Sequence, residues 1–318
     1  MSYVHHVHHV EQFHGLPAFT FPAYANPVDL PDADAVAWRL HCDPYSSDER
    51  SDSYWRRFTE SVDLGKIRAL ILGSPWYDSD GGSDLHELIG LRETFSGLEA
   101  LFLGDLEDEE AMISMIELED LTELLEAFPG LRELALRGGD GLQFPVTGHA
   151  ALRVLRVESG GLPPEAAAQI AAASLPSLER LELWLGDDYY GGGTTAEHLA
   201  PLLTGVGKPA LRHLGLQNST VQDELAAALA TAPVVRRLTS LSLSMGTLGD
   251  EGAEALLAGQ SLAHLRELDL SHHFLSRDMM LRIWTELEPQ GVRVNLDGRQ
   301  EEDTDVDDET RRYVAVAE

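Results

Sequence analysis

The sequence carries a single cysteine, Cys42, and only two lysines, Lys66 and Lys208. One thiol excludes an intrachain disulfide and any paired-cysteine motif, so a reducing, cytoplasmic setting is expected. Basic residues are scarce altogether: 23 against 54 acidic ones, a formal charge of −31. Such a surface repels phosphate, which argues against nucleic acid and anionic membrane as partners. No apolar run reaches the ~20 residues of a membrane-spanning helix, and histidines stand where a secretion signal needs its apolar core. Catalytic signatures are missing as well. There is no GxSxG, HExxH or CxxC, and Gly138-Gly139-Asp140-Gly141 lacks the Lys-Ser/Thr of a phosphate loop.

What the chain does have is leucine at fixed spacing. The phrase Leu-x-x-Leu-x-Leu begins at Leu211, Leu238 and Leu265, 27 residues apart each time. A constant period of this size marks a solenoid in which each repeat supplies one short strand and one helix. Read outward, the phrase returns at Ile67, Leu98, Leu131, Leu152 and Leu178. A degenerate copy, Ala35-x-x-Trp38-x-Leu40, precedes these, and a half copy, Val294-x-Leu296, follows. The sequence therefore predicts an α/β leucine-rich-repeat solenoid over residues 35–297, with about ten strands in a curved parallel sheet on the concave face and helices on the convex face. Residues 1–34 are expected to form an irregular N-terminal arm or cap. Residues 298–318 read as an acidic tail whose Tyr313–Ala317 end docks on the body. Helical runs such as Glu165–Ala173, Glu251–Leu257 and Met279–Leu287 separate the strands, with Pro163-Pro164, Asp250 and Ser276 suited to helix starts. The Gly- and Pro-rich gap between Leu131 and Leu152 is too short for a full helix.

Leu241-x-Leu243, then Leu248–Gly252 and Ala255-Leu256-Leu257, resembles the ribonuclease-inhibitor class of leucine-rich repeats. That resemblance implies protein binding on the concave face. Phe13–Pro17 (FHGLP), Leu183–Gly192 (LWLGDDYYGG) and Arg312–Glu318 (RYVAVAE) look like an actinobacterial leucine-rich-repeat family. Its genes lie beside radical-SAM, ATP-grasp-like and phosphodiesterase-like genes. This second resemblance implies a bacterial accessory protein of a biosynthetic or modification cluster, with a co-encoded enzyme as a candidate partner. It transfers no catalytic residue.

Alternation along each strand turns the third, fifth and seventh residues of the phrase to the concave face. The early strands then present Ala69, Ile71, Ala100 and Phe102, an apolar surface that is costly if bare at about 25 cal/mol per Å². Candidate covers are the N-terminal arm, the C-terminal tail or a partner's peptide, and the chain's own tail is favoured. The middle strands present Arg137, Arg156 and Arg180 beside Trp184, the residue types that dominate binding hot spots. Lateral pairing of Arg137 with Glu158 and of Arg156 with Glu182 is the competing structural reading. Tyr189 and Tyr190, in the long loop after the strand at Leu178–Leu183, complete the candidate binding set. Further rim loops hold Trp76–Asp78 and Glu107–Glu110.

Three metal patterns are set aside. His5–His9 has no cysteine or carboxylate at ligand spacing beside it and reads as a frayed terminus. His272 and His273 are adjacent and point to different faces. Asp303, Asp305 and Asp307 lack the glycine and closing glutamate of a calcium loop. The expectation is a non-catalytic protein- or peptide-binding scaffold with no cofactor and no metal. The alternative is an accessory subunit that binds a small anion or activates a neighbouring enzyme.

Overall fold

The computed structural model describes residues 7–23, 29–42, 49–74, 85–145, 147–304 and 310–318. Trp76–Asp78, Asp305 and Asp307 lie outside the described residues.

Side chains alternate along a strand, so the leucines of a repeated phrase must stack in rows if the strands are parallel and in register. Leu134, Leu155, Leu181, Leu214, Leu241 and Leu268 are cross-strand partners in unbroken succession, and all are buried. At roughly 1.5–3 kcal/mol per buried leucine, such a row holds neighbouring repeats together without any central core.

The strands are β1 Gln12–Phe13, β2 Leu16–Thr20, β3 Ala37–Leu40, β4 Ala69–Leu72, β5 Ala100–Leu103 and β6 Glu133–Arg137. They continue as β7 Val154–Glu158, β8 Arg180–Gly186, β9 His213–Ser219, β10 Ser240–Ser242, β11 Glu267–Asp269 and β12 Arg293–Asn295. Among the described residues these 12 form one sheet in chain order. The pairings from β2 onward are parallel, and β1 folds back antiparallel on β2. Helices α1 Ser51–Ser61, α2 His86–Gly90, α3 Thr122–Ala127, α4 Pro164–Ala172, α5 Ala200–Thr204, α6 Gln222–Leu229, α7 Asp250–Ala258 and α8 Arg277–Leu287 pack behind it. As the short Leu131–Leu152 gap implies, no helix separates β6 from β7 among the described residues.

Local chemistry accounts for some of the helix starts. Pro164 opens α4, and the Ser276 hydroxyl accepts the Met279 N–H at 3.2 Å to cap α8. Asp250 behaves differently from its expected role as a cap. Gly249 occupies the cap position, and Asp250 Oδ1 instead accepts the Ser276 N–H at 2.8 Å, tying α7 to the start of the next helix. At the open N-terminal end, Phe21 packs against Trp38, Tyr54 and Phe58 with ring centroids 5.2–6.3 Å apart, closing the stack.

Two departures from the sequence reading concern the chain ends. Residues 12–20, expected to be irregular, form β1 and β2. His14 (φ 53°) and Gly15 (φ 70°) are both left-handed, as a two-residue hairpin turn requires, and the chain doubles back there. The apolar early concave face is covered by this arm and not by the C-terminal tail. Phe13, with Val10, Leu16 and Ala18, packs on Ala37, Ala69, Ile71, Ala100, Phe102 and Ala135. The arm's β2 pairs in parallel with β3, and its large apolar residues meet that surface. The tail's Val314, Ala315 and Val316 bury themselves elsewhere, over the loops that follow β7 to β11.

Candidate functional site

The concave face is divided. Over β3–β6 it is filled by the arm; among the described residues the apolar cluster that the arm covers ends at Ala135 of β6.

Along the boundary runs a chain of alternating charges. Arg39 Nε donates to Asp105 Oδ2 at 2.7 Å, and Arg137 Nη1 lies 3.5 Å from Asp105 Oδ1. Arg137 Nε donates to Glu158 Oε2 at 2.8 Å, and Arg156 Nε lies 3.1 Å from Glu158 Oε1. Arg137 Nη1 also donates to the Leu106 carbonyl at 2.5 Å. Both Arg137 and Arg156 stand over the Phe102 ring, 5.3 and 5.6 Å from its centroid. Burial alone would raise the pKa of Asp105; His9, Arg39 and Arg137 outweigh it and hold the carboxyl below its ordinary value.

The candidate residues fall into three groups. Arg137, with 4% of its side chain exposed, and Glu158 are sealed inside the ion network, so they order the surface without offering themselves to a ligand. Arg156 (30% exposed), Arg180 (47%), Glu182 and half-buried Trp184 remain together on β7 and β8. Register places Arg156 beside Glu182, yet the contacts made run along the strands: Arg156 to Glu158, and Arg180 Nη2 to Glu182 Oε1 at 2.5 Å. Glu182 also lies 3.2 Å from His213 Nε2. Burial raises its pKa, but His213 and Arg180 together draw it down to about 2.

The two tyrosines separate. Tyr189 is 84% exposed, whereas Tyr190 donates its hydroxyl to Glu318 Oε1 at 2.5 Å and so holds the last residue of the tail. That bond to a carboxylate pushes the Tyr190 hydroxyl up to about 12.

Sequence reasoning did not single out two further features. A cleft of about 620 Å³ lies at the C-terminal ends of β9–β12, walled by Gln217, Ser244, Asp269, Ser271, His272 and Asn295. Its repeated serines are visible in the phrase at Ser240, Ser242 and Ser244, but a cleft needs the tail and the last loop to form its walls. The other is the meeting of His9 with His41 and Glu110 at the strand-end rim. The carboxylate that meets His9 arrives from a distant loop.

A leucine-rich-repeat family model matches residues 236–257, the stretch that contains β10 and most of α7. The crystal structure of a protein from Bacteroides fragilis is similar, with 27% identity and a TM-score of 0.70 over 77% of this chain and 70% of that one. No curated protein matches the chain. No helix is long and apolar enough to cross a membrane among the described residues. The leucine rows in register, the match of the repeat model on a central repeat and the likeness in fold converge on the architecture, an α/β solenoid of leucine-rich repeats.

Proposed function

We propose that the protein is a non-catalytic scaffold that receives an extended segment of a protein partner on the open part of its concave face. The observation that carries this reading is the position of Arg156, Arg180 and Trp184, left accessible immediately beyond the edge of the arm. The arm shows the mode in miniature: an extended segment lies across β3–β6 and buries Phe13 against Phe102, ring centroids 5.7 Å apart. On β7 and β8 the next segment would meet an indole and two arginines, groups that supply much of the energy of protein interfaces. Tyr189 on the rim adds a rigid aromatic contact, and the serines of β10 offer adaptable hydrogen bonds.

A co-encoded enzyme is the partner class favoured by the family resemblance. A small anion fits the cleft at β9–β12 less well, because Asp269 and Asp297 line it. The strongly negative surface disfavours nucleic acid and anionic membrane in the same way.

Affinity capture from the native host, read by mass spectrometry, tests the reading. Trp184→Ala and Arg156→Glu should each abolish or sharply reduce a specific protein signal while leaving the melting temperature nearly unchanged. Capture that is identical with all three proteins would remove this patch from consideration.

A further inference from the structure

The rim where the arm enters the fold gathers three metal-ligating side chains from three separate segments. His9 belongs to the arm, His41 follows β3, and Glu110 sits in the loop after β5. His41 Nε2 is 2.9 Å from Glu110 Oε1, and His9 Nε2 is 3.2 Å from Glu110 Oε2. The imidazole centroids are 5.1 Å apart at an interplanar angle of 74°. One ligand atom from each residue lies within 4.8 Å of the others. Around a tetrahedral zinc with bonds of ~2.0–2.1 Å, ligand atoms stand about 3.3 Å apart. Small side-chain rotations close the triangle to that spacing.

The surroundings fit a metal centre better than a chance ion pair. Asp105 Oδ2 lies 3.3 Å from His9 Nδ1 and is fixed by Arg39. As the ring now lies, His9 Nδ1 is buried and makes no well-formed hydrogen bond. A metal on Nε2 confines the ring proton to Nδ1 and aims it at Asp105, the carboxylate–histidine–metal arrangement that orients ligating imidazoles. His41 rests against the Gly73 backbone, where an added Cβ would come within 3.0 Å of its Nδ1. Packing therefore sets its direction. The acidic loop Glu107–Glu110 and Asp105 give the rim a negative potential that draws cations.

We propose that His9, His41 and Glu110 bind a zinc ion, with Asp105 positioning His9, and that the ion fastens the N-terminal arm across the early concave face. Two imidazoles and a carboxylate are a zinc donor set with a fourth position left for water. Because His9 and Glu110 are joined only through the fold, the ion cross-links the arm to the loop after β5. Zinc then governs how firmly the apolar surface of β3–β6 stays covered. The inference does not depend on the partner-binding reading of β7 and β8.

The full chain, stripped with a chelator, is titrated with zinc by calorimetry and with cobalt by absorption spectroscopy. One equivalent should bind, with tetrahedral cobalt bands, a higher melting temperature and slower proteolysis of the arm. Glu110→Gln and His41→Asn should each weaken binding by more than about 10–100-fold, the loss expected when only a group supporting a ligand is removed. Glu110 lies on an exposed loop, so its variant keeps the fold if His41→Asn does not. A variant with His5, His6 and His8 all changed to Gln should bind as the parent does. Absence of binding, equal affinity in Glu110→Gln, or loss of binding in the triple variant would each overturn the proposal.

Discussion

Arg137 illustrates how burial changes what a charged side chain does. Its place on the concave face and its lateral partner Glu158 were legible from strand alternation alone. Its depth was not, because Asp105 and the Leu106 carbonyl that hold its guanidinium belong to a loop distant in the chain. Removing it leaves Asp105 and Glu158 buried with less counter-charge, a loss of about 3–5 kcal/mol by analogy with broken buried pairs. Urea denaturation of Arg137→Met should show that loss. Arg180→Ala, on an exposed pair, should change stability by less than about 1 kcal/mol. A second residue-scale expectation concerns His14, whose Nδ1 is 2.8 Å from Glu133 Oε2 and whose Nε2 is 3.3 Å from Glu99 Oε2. Glu133 raises the His14 pKa above 6.5 against the opposing effect of burial, and Glu99 adds to the rise. Arg68 and Arg132 share Glu99 and limit its pull. A raised folded-state pKa contributes stability that is full below 6.5 and is lost as pH climbs through the folded value. Protection of the arm's amides, corrected for the base-catalysed intrinsic exchange rate and followed with chelator present, should therefore fall as pH rises through this window. In His14→Gln that fall should be smaller, with the remainder carried by His9, whose pKa Asp105 and Glu110 raise against burial.

At the scale of elements, the repeat leaves its period in the backbone as well as in the leucines. Asn218, Met245 and His272 are spaced by 27 residues, lie at the end of β9 and just after β10 and β11, and all have positive φ (55°, 67° and 54°). Left-handed backbone at non-glycine residues carries strain that surrounding contacts must offset. Each of the three touches the tail. Asn218 Nδ2 donates to the Val316 carbonyl at 2.5 Å and its Oδ1 accepts the Val316 N–H at 3.0 Å. The Met245 carbonyl accepts the Ala315 N–H at 2.8 Å, and His272 Nε2 is 3.2 Å from the Tyr313 carbonyl. A little further on, Ala317 passes so close to Gly160 that a Cβ there would lie 2.2 Å from its carbonyl oxygen. The strand-forming character of Tyr313–Ala317 was readable in the sequence; its seat was not, since a row of turns after successive strands exists only once the repeats are stacked. The arm's strands were missed for a related reason. They carry no leucine phrase and gain their partners from β3 and from the face they cover. Deleting Tyr313–Glu318 should remove about 2–3 kcal/mol of apolar burial, net of the freedom the tail regains. The melting temperature should fall by several degrees and dye binding should rise; an unchanged melt would show that the tail adds no stability.

For the molecule as a whole, the governing quantity is the charge of −31. The repeat phrase predicts the ladder of strands well, because nearest-neighbour stacking makes each repeat answer to the same local rule. Electrostatics obeys no such rule. It depends on all the repeats together, and composition alone gives its sign. Exposed pairs such as Arg153–Glu179 (3.7 Å) and Arg293–Glu267 (2.8 Å) are screened by salt and add little. The buried links of Asp105 and Glu158 to Arg137 are shielded from solvent and respond weakly. What remains is repulsion among acidic residues in large excess, spread along an elongated stack, which opposes the folded state. Raising ionic strength from about 0.05 to 0.5 M contracts the screening length from roughly 14 to 4 Å and should relieve that repulsion. The melting temperature is therefore expected to rise with sodium chloride and then level off. A fall instead would mean that the exposed pairs outweigh the excess charge. The same titration with a captured partner separates steering from docking. A contact made by Trp184 should survive high salt, while association driven by the overall negative field should not.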